Sequence, residues 1–215
     1  VPLLLGAKIS YPPGLTSEDL LSCMSNTGVS ILTGVPELFI LFHRGIKEKL
    51  GKVSFIVKVF LGVLVEASWV IRKCFRANFT KHILSKLHKA FGSNLRYMIT
   101  GGARLEPKVA RDLFKWGFTV LEGYGLTETS PVVTINPPGK PRIGSVGQSL
   151  PDVEVEIINP DNQGIGEVAI KGPNVMLGYY QLPEETKKVI REGWFYSGDL
   201  GYLDRDGYLY LRGRK

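Results

Sequence analysis

The sequence predicts an α/β chain, with a parallel-sheet α/β subdomain over residues 1–140 and a small β-barrel-like subdomain over 141–215. Three observations carry that expectation. Between residues 80 and 123, helix-period and strand-period segments alternate as TKHILSKLHKAFG, LRYMIT, PKVARDLFKWG and FTVLEG, the pattern of strands joined by crossover helices. After about residue 140 the pattern shortens to the period-two runs VEVEI, GEVAIKG and YLDRDGYLYLRG. Their Gly/Asp turns mark antiparallel strands. Between the two regions lies NPPGKPRIGS, residues 136–145, whose Pro and Gly content marks a boundary.

Each element has a local cause. TSEDLLSCMSNTG opens on Thr16 as an N-cap, has Asp19 at the capping-box offset and stops at Gly28, which predicts a helix. VSILTGV reads as a short buried strand. Pro36 suits a first helical position because its missing N–H costs nothing there, so PELFILFHRGIKEKL is read as a helix ended by Gly51. VSFIVKVFLGVLVEASWVI, residues 53–71, is apolar and long enough to raise the question of a membrane span. Lys58 and Glu66 argue against one, because a charge deep in a bilayer costs several kcal/mol; a buried or interfacial helix is expected instead. TKHILSKLHKAFG is expected as one amphipathic helix stopped by Gly92, and PEETKKVIREG, residues 183–193, as a single helix interrupting the strands.

Composition bounds the function. At 215 residues and 44% hydrophobic the chain can bury a sizeable core. It opens on Val1, and no basic region precedes PLLL, so no signal peptide is expected and the chain reads as an internal segment. Cys23 and Cys74 form no CxxC or Cys/His spacing, which favours reduced thiols in a cytoplasmic protein over a disulfide framework or zinc site. The net charge of +7 is uneven, since residues 44–115 hold 16 Lys/Arg against 4 Asp/Glu. The apolar segment followed by Arg72, Lys73, Arg76 and Lys81 fits peripheral contact with an anionic membrane surface; a core helix with a solvated turn fits it as well. No aromatic-interleaved basic ribbon appears, so no nucleic acid is expected as a partner.

Two loops concentrate backbone freedom and oxygen ligands: GGARL, residues 101–105, and GYGLTE, residues 123–128, within EGYGLTETSP. Both follow predicted strands at their carboxyl ends, where open α/β sheets place ligands, and their glycines let backbone approach a flat ring. Asp199 in WFYSGDLG is read on a turn, where a carboxylate accepts two hydrogen bonds from a vicinal diol or else caps the turn. Thr127 and Glu128 suit a phosphate oxygen and a hydrated Mg2+, or the acidic start of a helix. Arg214 suits a sugar or phosphate oxygen, or stands as an exposed charge. His43, His82 and His88 have no carboxylate or nucleophile at a telling offset and are assigned no catalytic role.

In order, YMITGGARL, EGYGLTE, IGSVGQSLPDVEVEI, GEVAIKGPNVMLGYY and EGWFYSGDLGYLDRDGYLYLRGRK resemble the adenylate-forming, AMP-binding enzymes, and among them the acyl-CoA synthetases. The likeness runs the length of the chain and is most specific from residue 95 onward. It implies part of the large N-terminal domain of such an enzyme. The implied reaction is ATP-dependent, Mg2+-assisted activation of a carboxylic acid to an acyl-adenylate, followed by transfer to CoA as a thioester with release of AMP. By motif, Gly101, Gly102 and Ala103 would line the adenine and acyl pockets, and Glu122, Gly123 and Tyr124, with Gly125 beside them, would hold and stack on adenine. Thr127 and Glu128 would be the catalytic pair, Thr127 at the α-phosphate and Glu128 on Mg2+, while Asp199 would hold the ribose hydroxyls and Arg214 would approach the same sugar. The apolar and basic character of residues 29–104 is closer to medium- or long-chain fatty-acid ligases than to those for acetate or aromatic acids. The family's phosphate loop lies upstream of these motifs and its lid domain, with the adenylating lysine, downstream. Lys215 is not that lysine, and the 215 residues alone are expected to be inactive, with a homodimer through exposed apolar surface kept open. Two alternatives stand beside this reading: a ligase acting on an acyl carrier protein, and a non-enzymatic nucleotide- or lipid-binding module at a membrane surface.

Overall fold

The computed structural model describes residues 5–75 and 79–215, without the side chains of residues 56–58 and 70–75. Arg76 and the side chains of Lys58, Arg72, Lys73 and Cys74 therefore lie outside the described residues. The chain divides into two compact units, one holding the residues up to Ile99 with Lys108–Val120, the other Thr100–Pro107 with Leu121–Lys215.

The first unit is the α/β part. Helix α1 (Ser17–Thr27) starts where expected: the Thr16 hydroxyl oxygen accepts from the Asp19 N–H at 3.2 Å, and Gly28 takes the left-handed conformation that ends it, at φ 65°. Strand β1 (Ile31–Gly34) leads to α2 (Pro36–Gly51), with proline at its first turn, and to α3 (Phe55–Phe75). Strand β2 (Tyr97–Thr100) lies beside β1, entered through Arg96 and Tyr97, whose N–H groups both donate to the Ser30 carbonyl. Phe39, Phe42, Ile46, Met98 and Leu113 of helix α6 (Pro107–Lys115) are buried, and Phe91 sits 5.0 Å from the rings of both Phe42 and Phe118.

The single helix expected over TKHILSKLHKAFG is instead two, α4 (Thr80–Ile83) and α5 (Ser85–Ala90), broken at Leu84 with φ −99° and ψ 37°. Tertiary contacts override the helical period there. The buried His88 ring lies 2.8 Å from the Trp116 carbonyl and the buried Thr80 hydroxyl donates to Ser68 Oγ at 2.7 Å, which holds the two short helices in different settings. Helix α3 buries Ser68 but leaves Phe55, Val59, Phe60 and Val63 more than half exposed. Among the described residues no helix is long and apolar enough to cross a membrane. His43, read as lacking a carboxylate, has one that is distant in sequence: its Nε2 lies 2.8 Å from Asp112 Oδ2, with its ring stacked on Trp116.

The second unit carries two sheet segments. Strand β3 (Val120–Tyr124) runs antiparallel to β4 (Thr134–Ile135), which pairs with β5 (Gln148–Ser149). Between β3 and β4 the chain makes one 3-10 turn, Thr127–Thr129. The second segment comprises β6 (Glu154–Ile158), β7 (Gly166–Lys171), a two-residue β8 (Ile190–Arg191), β9 (Trp194–Leu203) and β10 (Leu209–Arg214). Its order is β10-β9-β7-β6 with β8 against β9, an open antiparallel sheet rather than a closed barrel. Val133, Val153, Val168, Ile170, Phe195 and Leu209 form its core with Tyr124. Helix α7 (Pro183–Val189) stops four residues short of the span expected for it. Glu192 and Gly193, at φ 51° and 80°, turn the chain back as a two-residue hairpin that pairs Arg191 with Trp194.

Close backbone approach decides one glycine. A Cβ added to Gly125 would lie 1.6 Å from the Pro131 carbonyl oxygen, whereas one added to Gly139 would meet nothing within 4 Å. Gly125→Ala is expected to cost more than about 3 kcal/mol or to prevent folding, and Gly139→Ala to stay within roughly 1 kcal/mol of the parent. Denaturant unfolding of both variants checks this, and near-equal midpoints would show that the 125–131 loop opens freely.

Candidate functional site

Asp199 lies within a strand, not on the turn its flanking Gly198 suggests, and a disrupted register sets its position. Between the pairs Ala169↔Tyr196 and Glu167↔Leu200, the single residue Val168 faces Ser197, Gly198 and Asp199 of β9. On the other side β10 is also irregular between Leu211 and Gly213, and Arg214 pairs with Asp199. Side chains supply the ladder bonds that the bulge removes: Ser197 Oγ donates to the Val168 carbonyl at 2.7 Å, Asp199 N–H donates to Ser197 Oγ at 3.1 Å, and Gly198 N–H donates to Glu167 Oε1 at 3.2 Å. Gly198 takes φ 73°, a conformation most side chains disfavour.

The bulge turns the Asp199 carboxylate into a cleft of about 260 Å³. There Asp199 Oδ2 accepts from the Tyr124 hydroxyl at 2.6 Å and Oδ1 lies 3.1 Å from Arg214 Nε. Burial first, and the bond to Asp199 second, push the Tyr124 hydroxyl well above its usual range, so it remains a donor at any physiological pH. Gly102 and Ala103 form one wall, and Gly123, Tyr124 and Gly125 another. Gly101 lies just behind, where an added Cβ would stand 3.4 Å from the Gly123 carbonyl. Thr127 is exposed and does not line the cleft.

Glu128 lines a second cleft of about 370 Å³, where its Oε1 accepts from the Tyr179 hydroxyl at 2.9 Å. The two clefts share Leu126 and Arg214. Among the described residues no group of three or more His, Cys, Asp or Glu side chains could hold a metal alone. A lone carboxylate fits Mg2+ when phosphate oxygens and water complete the octahedron, the usual arrangement for that ion on a nucleotide.

Glu122, 6% exposed, stands at the wall of the first cleft. Burial pushes its carboxyl up to about 7, against the pull of the Gly144 and Leu105 N–H groups and of the Arg104 charge. The folded chain therefore binds a proton that the unfolded chain, with a carboxyl near 4.5, gives up. The associated stability is fully present below pH 4.5 and is lost as pH rises through about 7. At about 1.4 kcal/mol per pH unit the loss is roughly 3 kcal/mol. Glu122→Gln mimics the protonated acid and is expected to flatten the stability profile over this window, leaving the variant more stable than the parent above pH 7. Unfolding free energies from pH 4 to 8 check this, and parallel profiles would mean that Glu122 is ionised throughout.

Of the residues the sequence singles out, Gly102, Ala103, Glu122, Gly123, Tyr124, Gly125, Asp199 and Arg214 come together in the first cleft and Glu128 lies in the second, through links that the sequence does not announce. Tyr124 and Asp199 are 75 residues apart, and Glu128 and Tyr179 are 51 apart, so no spacing signal connects them. Tyr179 stands in GYY within one of the quoted motifs, the one local hint available.

The family model described as AMP-binding enzyme matches residues 1–180. The probable 4-coumarate–CoA ligase 2 of Dictyostelium discoideum is 43% identical over 129 residues, 55% of this chain and 23% of that protein. The long-chain-fatty-acid–CoA ligase of Salmonella typhimurium is 38% identical over 130 residues, 57% of this chain and 23% of that protein. The chain thus spans under a quarter of the length of these curated relatives. The crystal structure of ATP-bound MatB from Rhodopseudomonas palustris superposes with a TM-score of 0.72 at 28% identity, covering 100% of this chain and 36% of that one. With its motifs in the family's order, its fold matched over its full length and the family model matched over most of it, the chain belongs to the AMP-binding enzymes.

Proposed function

We propose that the protein is an AMP-forming acid–thiol ligase that activates a carboxylic acid, in our reading a medium- or long-chain fatty acid, with ATP and transfers it to CoA. The observation that carries this is the Asp199 carboxylate, aimed by the β9 bulge into a glycine-walled cleft and held between Tyr124 and Arg214. A planar base fits against bare backbone, and a vicinal diol fits the carboxylate. The names of the relatives support an acid–CoA ligase. They divide between an aromatic and a fatty acid, and the apolar helices of the first unit are our reason for favouring the fatty acid.

In the proposed reaction an oxygen of the substrate carboxylate attacks the α-phosphorus of ATP, the bond to the bridging oxygen breaks, and pyrophosphate leaves. The acyl-adenylate is then attacked at its acyl carbon by the CoA thiol, which loses its proton as AMP departs. Asp199 and Arg214 would fix the ribose. Tyr124 would hold Asp199 and border the base with Gly123 and Gly125, while Glu122 would take the edge of the base and Gly101, Gly102 and Ala103 would separate the base from the acyl site. Thr127 would meet the α-phosphate, and Glu128 would hold Mg2+, which when bound neutralises phosphate charge. The residues thus act by positioning and by meeting charge where it develops. In this reading residues 1–140 supply the acyl and adenine walls and 141–215 the ribose contacts.

Carboxylate-dependent pyrophosphate release by the full-length protein tests this across a chain-length series of acids, with and without CoA. Asp199→Ala removes two hydrogen-bonding oxygens and is expected to lower kcat/KM for ATP by on the order of 10²-fold, about 1.5 kcal/mol per charged hydrogen bond lost. Release peaking with aromatic acids would reassign the substrate. No release with any acid, from a folded protein that binds ATP, would end the ligase reading.

A further inference from the structure

The loop that carries Glu128 is gripped by one later segment, residues 174–179. Asn174 Nδ2 donates to the Thr129 and Val132 carbonyls at 3.0 and 3.1 Å, and Met176 N–H donates to the Glu128 carbonyl at 2.8 Å. These bonds fix backbone. The Tyr179 hydroxyl does something different, because it donates to Oε1 of the Glu128 carboxylate itself, at 2.9 Å. Among the described residues no other donor and no cation reaches that carboxylate, so its two oxygens differ: Oε1 is engaged and Oε2 is not.

Tyr179 is held in its turn. Its N–H donates to Thr186 Oγ1 at 2.9 Å, and the Thr186 hydroxyl donates to the Leu182 carbonyl, also at 2.9 Å, which anchors Tyr179 to the start of α7. Burial first, and the bond to Glu128 second, push the Tyr179 hydroxyl above its usual range, so it stays a donor at neutral pH. A hydroxyl bonded to Oε1 occupies one of its lone pairs and draws charge from it, leaving Oε2 the better metal ligand. That inequality separates cations. Mg2+ keeps short bonds in a near-ideal octahedron, which one oxygen of a carboxylate satisfies, whereas Ca2+ has a larger and more flexible shell and readily takes both oxygens of one carboxylate.

We infer that Tyr179 is a positioning residue that determines metal specificity, presenting Glu128 to a nucleotide-bound cation through the single oxygen Oε2 and so favouring Mg2+ over Ca2+. The inference rests on the reading of Glu128 as the residue that holds the metal.

Full-length Tyr179→Phe keeps the ring and removes the hydroxyl. Calorimetry gives its affinity for ATP in EDTA, for MgATP and for CaATP, each without a carboxylic acid so that nothing turns over. Its thermal midpoint and its affinity for metal-free ATP are expected to stay within about two degrees and about twofold of the parent. MgATP affinity is expected to fall roughly fivefold while CaATP affinity holds or rises, so the preference for Mg2+ falls by at least that factor. Because the preference is a ratio within one protein, a general loosening of the fold cancels from it. Asn174→Ala supplies the comparison, since it frees the loop without touching the carboxylate and is expected to weaken MgATP and CaATP alike. Equal loss of both metals in Tyr179→Phe, or no change in either, would overturn the inference. If MgATP binding by the parent does not depend on Glu128, with Glu128→Gln unchanged, the metal reading itself fails and this inference with it; an unaltered preference in Tyr179→Phe, where Glu128→Gln does weaken MgATP, overturns this inference alone.

Discussion

The second unit depends on one buried polar node. Asn136 and Ser145, 1% and 0% exposed, reinforce the backbone bridge between Gly147 and Leu209 that ties its two sheet segments. Asn136 Nδ2 donates to the carbonyls of Ser145 at 2.6 Å and Glu122 at 3.4 Å, and its Oδ1 accepts from Arg142 N–H at 2.9 Å. Ser145 Oγ donates to the Leu209 carbonyl and accepts from Gly147 N–H, at 2.8 and 2.9 Å. The Ser145 carbonyl and the Arg142 and Gly147 N–H groups are satisfied by these side chains, and each would cost about 1–3 kcal/mol if left unpaired away from water, while the Glu122 and Leu209 carbonyls also accept from the Asn136 and Val146 N–H groups at 2.9 Å. Outside the node, the Arg142 guanidinium bonds both Asp204 and Asp206 and stacks on Tyr208, so the β9–β10 hairpin is clasped to the same segment.

That node sets the geometry of the first cleft. Gly144 and Val146, which line it, lie within the clasped segment, and Gly144 N–H meets the Glu122 carboxyl. The β10 strand that receives the Ser145 bond ends in Arg214, opposite Asp199. The cleft is therefore formed where the clasp and the β9 bulge converge, and its polar groups are positioned by hydrogen bonds that a ligand does not have to form. Such preorganisation lowers the ordering cost of binding.

What the sequence made legible follows from range. Features settled within a few residues were readable: the Thr16 cap, Pro36 at a helix start, the glycine loops and the period-two strands. Features settled by distant contacts were not. Nothing within TKHILSKLHKAFG announces a break at Leu84, because His88 finds its partner Trp116 28 residues away. PEETKKVIREG reads as one helix, but Ile190 is already extended and pairs with Phe195 of β9, a partner the local sequence does not announce. Asp199 looked like a turn residue because Gly198 precedes it; only pairing on both sides, to β7 and to β10, reveals a bulged strand.

Glu122 bears on why the cleft should be read as a binding site at all. A carboxyl that burial raises to about 7 costs stability at neutral pH that a glutamine or leucine of similar size would not. The fold surrounds it with two backbone donors and the Arg104 charge, yet these recover only part of the cost. Packing alone gives no reason to keep an acid there. A ligand that donates to it does, because such a ligand stabilises the ionised form and recovers the remaining cost on binding. Titratable groups set in clefts at odds with stability are a recurring mark of functional sites. Glu122 stands on the same strand as Tyr124, within reach of the wall formed by Gly102 and Ala103, so the group with the least structural justification faces the space that the rest of the unit is arranged to hold open.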